Sequence, residues 1–323
     1  MTGPAAGASE GSSEGSSEGA DRTLNMFRRV GYHLLPGDAF SYVLHMRPAE
    51  WPIMAAHTAL GFVLAVGLRP LAHGEGVGEG LWAIFLWVVM LNGGTLAINS
   101  VFDRDEGDIG YLDKPPKPPA YLLSFSFGLM AAGQLLALSL GSSFALAYAL
   151  CFAMSVAYSV PPLRLKAVGG VDWLINMWGF GTLTPYAGWA ATQRPLDHPH
   201  ALVLLGFCPL FAALYPLTQL YQFDEDKRRG DRTLAIMLGM KRSLLVAIAC
   251  VLVAFAMFTS AVGASVSWRD VGIPVALAMW LVLLFRWFKR FPTMPPMEHK
   301  RGMYAALLAW AVTDAAILLA FAL

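Results

Sequence analysis

Charged residues are scarce in this chain: only 14% of its 323 residues are Asp, Glu, Lys or Arg, whereas 56% are hydrophobic. Together with a mean hydropathy of +0.53, this composition excludes an ordinary soluble globular protein. Cysteine is also scarce, and the three cysteines fall inside apolar segments without disulfide or zinc-site spacing. The seven histidines are scattered and form no HExxH pattern. Neither a zinc enzyme nor a haem protein is therefore indicated.

Residues 1–24 contain no apolar segment. Their Ser-Glu-Gly repeat is too polar to bury any surface, so we expect a disordered tail over 1–24. The tail also lacks the apolar core of a signal peptide. The functional domain is expected over residues 40–323.

Long apolar segments, by contrast, are abundant. Nine of them approach 20 residues, enough for a helix to cross about 30 Å of hydrocarbon. They lie at 52–70, 81–101, 120–140, 142–160, 172–191, 201–221, 242–263, 271–288 and 303–322. The sequence thus predicts an all-α integral membrane protein with nine transmembrane helices in one bundle.

Basic residues are distributed unequally between the two sides of the predicted bundle. With nine spans, 20 of the 23 Lys and Arg residues lie on one side, and only Arg69, Arg194 and Arg269 lie on the other. By the positive-inside rule the N-terminus is cytoplasmic and the C-terminus faces out. We expect the membrane to be a bacterial inner (plasma) membrane.

Two acidic segments of ten residues resemble each other. They are NSVFDRDEGD at 99–108 and QFDEDKRRGD at 222–231, and each follows an apolar span. Both have an amide first, Asp fifth, a basic residue sixth, Gly ninth and Asp tenth. Their recurrence after 123 residues indicates two four-helix pseudo-repeats, with a ninth helix added.

Each acidic segment also has the composition of a metal site. The amide and the fifth-position Asp are four residues apart, so they share one helix face. Carboxylate and amide oxygens are natural ligands of hard divalent cations, and the negative end of the preceding helix adds to the attraction. Solvated loop residues would explain one such cluster, but the duplication favours metal binding. The expected ligands are Asn99, Asp103 and Asp108 in the first segment, and Gln222, Asp226 and Asp231 in the second.

Basic side chains surround these segments on the predicted cytosolic side. The turn YSVPPLRLK carries Arg164 and Lys166, and its two prolines restrict their position. A basic rim of this kind can neutralise the charge of a diphosphate held between two metal sites. The expected diphosphate-binding residues are Lys114, Arg164, Lys166, Lys227 and Arg232.

Two further charged residues lie at or inside the predicted spans. Arg47 precedes the first span, where it can either anchor an anionic acceptor or mark the membrane interface together with Trp51. Asp314 lies inside the last span. Such a carboxylate is ordinarily functional, but the sequence shows no partner for it, so it stays outside the expected site.

Taken in order, three motifs resemble the UbiA superfamily of intramembrane prenyltransferases over about residues 40 to 320. The first is the Asn-Asp-rich stretch with Asn99, Asp103 and Asp108. The second is the Tyr-Ser motif, which matches Tyr158, Ser159, Arg164 and Lys166. The third is DEDKRRGDRTL, which matches Asp226, Gly230, Thr233 and Leu234. Ser100 and Gln222 stand where the family usually has Asp, and Gly107 shifts Asp108 by one residue.

The resemblance implies a reaction. Mg²⁺ held by the two acidic segments would bind an isoprenyl diphosphate, whose allylic C–O bond ionises in a water-poor cavity. A lipophilic, aromatic acceptor of the quinone-precursor, homogentisate or tetrapyrrole class would then attack the carbocation. Tyr158, Ser159 and Arg47 are the expected catalytic residues. Membrane lipid is an expected partner, and nucleic acid is not.

Two other functions remain open from the sequence. A related terpene cyclase would share the metal sites but need no acceptor. A cation-coupled transporter would use the same carboxylates, but it predicts polar residues deep in several spans and access to both faces, and here the acidic segments stay on one face. The single D-G-x-x-A-R block of CDP-alcohol phosphotransferases does not occur.

Overall fold

The computed structural model describes residues 26–35, 37–103, 115–229, 232–264 and 267–323. The expected tail over 1–24 lies outside them, as do the expected site residues Asp108, Lys114 and Asp231; of Asp103 only the backbone is described. Throughout the described ranges every regular element is a helix and no β-strand occurs. The all-α prediction is confirmed.

The first half of the chain forms two short helices and five long ones. The short helices α1 and α2 span Met26–Leu34 and Ala39–His45, and α3 spans Trp51–Val66. Helix α4 runs without interruption through Val77–Ile84, Phe85–Asn92 and Gly93–Asp103, and its middle stretch is π-helical. Helices α5 and α6 span Leu122–Ala137 and Ser142–Ser159. Helix α7 comprises Val171–Asn176, a π-helical stretch Met177–Leu183, and Thr184–Ala190. A five-residue helix, Leu68–Ala72, lies between α3 and α4.

The second half repeats the alternation of long helices and short connecting ones. Helix α8 spans His198–Gln219 and has two prolines in its interior. The short helices α9 and α10 span Phe223–Arg229 and Leu234–Leu238. The long helices α11, α12 and α13 span Met240–Val262, Gly272–Arg290 and Pro296–Phe321.

Eight helices of the described residues are long and apolar enough to cross a membrane, so the chain is an integral membrane protein. They correspond to eight of the nine predicted spans. The ninth candidate is α7, which is helical over the predicted range but is not among the eight. It is more polar than the others because it contains Asp172, Asn176 and Thr182. The count of nine spans stays a prediction.

Two predicted ends differ from the structure. The first span was expected to reach residue 70, but α3 ends at Val66 because Gly67 leaves the helix with a φ of 88°. The next amide, of Leu68, donates a 2.9 Å hydrogen bond to the Ala322 carbonyl oxygen at the end of α13. The last span begins at Pro296, seven residues before the predicted start at 303.

The buried apolar residues form two large clusters, one in each half of the bundle. The first cluster is built mainly from α4, α5, α6 and α7, and the second from α8, α11, α12 and α13. Helices α3 and α7 contribute to both clusters, so they form the wall between the halves. Their backbones touch: a Cβ added at Gly61 would meet the Pro185 carbonyl oxygen, and one at Gly188 the Thr58 carbonyl oxygen. Small residues permit such close approach between membrane helices.

Candidate active site

The Tyr-Ser segment contacts the first acidic segment. The Ser159 hydroxyl, at the buried end of α6, donates a hydrogen bond to Oδ1 of Asn99 on α4. This bond fixes the amide oxygen of Asn99 and leaves it a second lone pair. Asn99 and Ser159 were both expected in the site, and the structure brings them together.

The connection between α6 and α7 also lies beside the chain that follows the second acidic segment. A Cβ added at Gly169 would touch the Met237 side chain and lie 3.7 Å from the Arg232 carbonyl oxygen. The turn after α6 therefore extends from Asn99 to the chain that follows α9.

Asp226 is the buried carboxylate of the second acidic segment. It lies on α9 with an exposed fraction of 4%, and the Thr233 hydroxyl is 3.4 Å from its Oδ2 atom. Thr233 also caps α10 by accepting from the Ile236 amide. Gln222 is half-buried just before α9. These carboxylate and amide oxygens suit Mg²⁺.

No three His, Cys, Asp or Glu side chains come together as a metal site within the described ranges. The expected carboxylates Asp108 and Asp231, and the side chain of Asp103, lie outside what the structure describes. The donors it does describe, Asn99 and Asp226, fit the chemistry of the expected ions.

Two half-buried cations, Arg47 and Lys166, interact at the Tyr-Ser segment. Burial, and then the positive charge of Arg47, lower the pKa of Lys166 to about 8. Arg47 pairs with Glu50 at 3.5 Å, while its buried Nε atom has no hydrogen-bond partner among the described residues. Like charges held this close favour an anion between them.

Both arginines of this region have a left-handed backbone. The φ angle is 50° at Arg47 and 37° at Arg164. Such angles are uncommon for residues other than Gly and are concentrated at ligand sites. Arg164 is exposed, as are the expected diphosphate ligands Lys227 and Arg232, so these three groups lie at the rim.

A cavity with an unoccupied volume of about 550 Å³, including its open mouth, lies between α4, α6 and α7. Most of its surface is apolar. Its polar lining includes Asn92, Thr95 and Asn99 on α4, Tyr158 on α6 and Asn176 on α7. Through Met154 and Ile175 it adjoins an apolar recess between α6 and α7, which is also lined by Leu150, Leu174 and Trp178.

The two π-helical stretches face each other across this cavity. Trp87 on α4 donates from Nε1 to the Thr184 hydroxyl on α7 at 3.2 Å, and Thr184 donates to the Gly179 carbonyl oxygen at 2.9 Å. Isolated π-helical turns occur often at functional sites. No sequence pattern indicated them.

A second group that the sequence did not single out is Asp172, near the start of α7. Its exposed fraction is 4%. Its Oδ1 atom accepts from the Gly170 amide at 2.8 Å, and its Oδ2 atom accepts from the Tyr215 hydroxyl at 2.9 Å. Tyr215 and Asn176 in turn lie within hydrogen-bonding reach of Tyr158 in the cavity wall. A chain of polar groups thus runs from the cavity to a buried carboxylate.

Asp314 has a partner that the sequence did not reveal. Nδ1 of His57 on α3 lies 3.8 Å from the Asp314 Oδ1 atom on α13. The other ring nitrogen, Nε2, lies 3.3 Å from the Gly181 carbonyl oxygen in the π-helical part of α7. This pair ties three helices together and does not line the cavity.

The sequence profile of the UbiA prenyltransferase family matches residues 54–311. The chain therefore belongs to the UbiA prenyltransferase family, and it is a prenyltransferase. Among curated protein sequences no significant relative was found.

Solved structures share this fold. A UbiA homologue from Archaeoglobus fulgidus bound to GPP and Mg²⁺ has 20% sequence identity and a TM-score of 0.62, over 86% of this chain and 99% of that one. A structure described for digeranylgeranylglyceryl phosphate synthase has 15% identity and a TM-score of 0.66, over 87% and 97%. An apo UbiA homologue from Aeropyrum pernix K1 has 17% identity and a TM-score of 0.59, over 84% and 98%. At these identities the likeness shows the fold alone.

Proposed function

We propose that this protein moves an isoprenyl group from an isoprenyl diphosphate to a lipophilic, aromatic acceptor of the quinone-precursor, homogentisate or tetrapyrrole class. The observation that carries the proposal is the hydrogen bond from Ser159 of the Tyr-Ser segment to Asn99 of the first acidic segment, beside an apolar cavity that Asn99 and Tyr158 line. The Archaeoglobus fulgidus homologue was solved with GPP and Mg²⁺, which supports the same substrate class and cofactor here.

The metal ligands are proposed from both acidic segments. Bound Mg²⁺ supplies Lewis-acid neutralisation of the diphosphate oxygens. Ser159 orients the Asn99 amide, and Thr233 orients the Asp226 carboxylate. Such supporting hydrogen bonds tune metal ligands. The full proposed set is Asn99, Asp103, Asp108, Gln222, Asp226 and Asp231.

The basic residues bind the diphosphate and stabilise its charge as it leaves. Burial and then the positive charge of Arg47 lower the pKa of Lys166, so an anion bound beside these two groups relieves their repulsion. Arg164 holds a left-handed backbone at the same turn. Lys114, Lys227 and Arg232 complete the proposed rim.

The cavity holds the prenyl chain and excludes water from the allylic cation. Its wall provides the Tyr158 and Phe180 rings, whose faces attract a cation. The recess beyond Met154 and Ile175 is apolar, so we place the far end of the prenyl chain there, next to membrane lipid. Arg47, whose charge acts on Tyr158 in the cavity wall, is the group that would bind an anionic acceptor.

We further propose one domain over residues 40–323, with nine spans that include α7 and with two four-helix pseudo-repeats. The basic-residue distribution supports a cytoplasmic N-terminus, an outside C-terminus and a site open to the cytosolic face of a bacterial inner membrane. Both acidic segments then lie on the side where soluble diphosphates are available.

The test uses purified protein in lipid nanodiscs with radiolabelled geranylgeranyl diphosphate. Pyrophosphate and prenylated product are followed with and without Mg²⁺, over a panel of quinone precursors, homogentisate and tetrapyrroles. We expect release that needs both Mg²⁺ and one panel member. Mg²⁺-dependent release without any acceptor would instead indicate a terpene cyclase, and no binding of the diphosphate would refute the proposal.

Variants of the proposed metal ligands are tested in the same assay. Asp103→Ala and Asp226→Ala each remove a proposed metal ligand, so we expect turnover to fall to background while the protein still inserts and purifies. Arg69→Ala, on the predicted opposite side, should retain turnover. Near-normal activity in either Asp variant would contradict the two-metal assignment.

A further inference from the structure

Asp172 is a buried carboxylate that the metal and diphosphate assignments do not use. Asp172 and Asp226 are the two fully buried carboxylates in the part of the chain that the structure describes, and only Asp226 belongs to an acidic segment. Burying a charged group is costly unless hydrogen bonds compensate. For Asp172 the compensating donors are the Gly170 amide and the Tyr215 hydroxyl.

The hydrogen bonds of this group have a direction. A tyrosine hydroxyl has one proton, and Tyr215 donates its proton to Asp172. Tyr158 lies within hydrogen-bonding reach of Tyr215. Because the proton of Tyr215 is donated to Asp172, a proton moving along this pair has to pass from the Tyr158 hydroxyl to the Tyr215 oxygen. The remaining lone pair of the Tyr158 oxygen is left for a group in the cavity, which Tyr158 lines. A proton path from the cavity to Asp172 thus has two steps, from Tyr158 to Tyr215 and from Tyr215 to Asp172.

The proposed reaction needs such a proton path. When the allylic C–O bond breaks, its electron pair leaves with the diphosphate. The acceptor then forms a bond to the allylic carbon and must lose one proton, whether it reacts through carbon or through oxygen. An apolar cavity offers that proton no bulk water, so a protein group has to take it.

We propose that Asp172 is the final proton acceptor of the transfer reaction, acting through Tyr215 and Tyr158. The Tyr158 oxygen takes the acceptor's proton and passes its own to Tyr215. Tyr215 passes its proton to Oδ2 of Asp172, which ends as a neutral carboxylic acid. Both tyrosines are unchanged at the end, and the number of protons balances. This inference rests on the proposed function, since it supplies the base for the same reaction.

Asp172 could instead serve only to pack α7 against α8. The structure offers a control for that role. One residue along, Trp173 donates from Nε1 to the Ala212 carbonyl oxygen at 2.9 Å, which joins the same two helices without touching the proton path. Trp173→Phe therefore weakens the packing alone.

The experiment compares Asp172→Asn, Tyr215→Phe and Trp173→Phe with the unaltered protein in nanodiscs. The probes are geranylgeranyl diphosphate, Mg²⁺ and the panel member that supports transfer. Three quantities are measured: the Kd of the diphosphate, the rate of prenylated product and the ratio of product to pyrophosphate. The Kd shows that each variant is folded, and the ratio separates ionisation from completed transfer.

We expect Asp172→Asn and Tyr215→Phe each to lower the product rate about 100-fold, the usual contribution of a general base. The Kd should be unchanged, and the ratio of product to pyrophosphate should fall as water captures the cation. Trp173→Phe should keep both the rate and the ratio. A normal product rate in Asp172→Asn would overturn the inference. So would a product rate that falls as much in Trp173→Phe as in Asp172→Asn. If the unaltered protein transfers the prenyl group to no acceptor of the panel, the proposed function itself is refuted.

Discussion

Ser159 at the end of α6 donates its hydroxyl hydrogen bond to the amide oxygen of Asn99 on α4. The two residues lie 60 positions apart in the chain and belong to different motifs. The bond therefore couples the Tyr-Ser turn to the first acidic segment. A substitution at either residue should therefore alter the position of the other side chain.

The first prediction follows from that bond. Ser159→Ala leaves the Asn99 amide without its donor, so the proposed metal ligand is no longer oriented. We expect the apparent affinity for Mg²⁺ to fall by about 10- to 100-fold, as for other groups that support metal ligands. The measurement is a Mg²⁺ titration of pyrophosphate release.

The matched control for Ser159 is Ser126→Ala. Ser126 is also buried on a long helix, but its hydroxyl only returns to the Leu122 carbonyl oxygen, at 2.7 Å. Its removal should leave the Mg²⁺ titration unchanged. Equal Mg²⁺ curves for Ser159→Ala and the unaltered protein would contradict a role for Ser159 in the metal site.

Lys166 gives a prediction about pH. Its pKa is lowered to about 8 by burial and by Arg47, so in the free protein it loses its charge as the pH rises through 8. A bound diphosphate favours the charged form and raises this pKa. Affinity for geranylgeranyl diphosphate should thus be full at pH 7 and fall above pH 8, by at most about tenfold per pH unit.

Binding measured from pH 6.5 to 9.5 checks this expectation. Lys166→Arg carries a charge that does not titrate in this range, so its curve should be flat near pH 8. Lys241→Gln, an exposed site at the start of α11, should keep the normal curve. A decline near pH 8 that persists in Lys166→Arg would assign the titration to another group.

The contact between α3 and α7 predicts that two Gly→Ala substitutions differ in their effect on the free energy of unfolding. In Gly188→Ala the new Cβ meets the backbone oxygen of Thr58, so the helices must separate. We expect a loss of about 1–3 kcal/mol in the free energy of unfolding. Gly128→Ala, where a Cβ meets nothing within 4 Å, should be neutral or stabilising. Unfolding in mixed micelles measures both, and equal values would argue against tight packing at Gly188.

The His57–Asp314 pair predicts an energetic coupling. The variants His57→Gln and Asp314→Asn, with their combination, form a double-mutant cycle. We expect a coupling of about 1 kcal/mol, near the upper part of the range for polar pairs in membrane proteins. Purely additive effects on unfolding would mean that the 3.8 Å separation carries no interaction.

The parts of the fold that depend on local sequence could be predicted, and those that depend on distant contacts could not. Apolar length located the long helices, including α8 despite its two interior prolines. It could not locate the end of α3, which Gly67 and the contact with Ala322 determine. Motif spacing identified Asn99 and Ser159 separately. Their bond requires the packing of α4 against α6.

The buried polar residues show the same limit more clearly. Asp172 and Tyr215 are 43 residues apart, and no motif marks either one. His57 and Asp314 lie near opposite ends of the sequence of the membrane domain, although their side chains are neighbours in the fold. Each of these residues is a polar side chain in an apolar segment, and only the folded bundle shows its partner.

The π-helical stretch of α4 has a consequence for rotation about the helix axis. A π-helical turn holds more residues than an α-helical turn, whereas each residue of an α-helix advances by about 100° and 1.5 Å. Deleting one residue within Phe85–Asn92 would shorten α4 by little more than a bond length. It would turn Asn99 relative to Ser159 by little, because the wider π-helical turn already accommodates the additional residue and the shortened stretch can close into α-helix. The π-helical stretch thus accommodates one additional residue in mid-membrane and preserves the angular phase between the buried part of α4 and its acidic end.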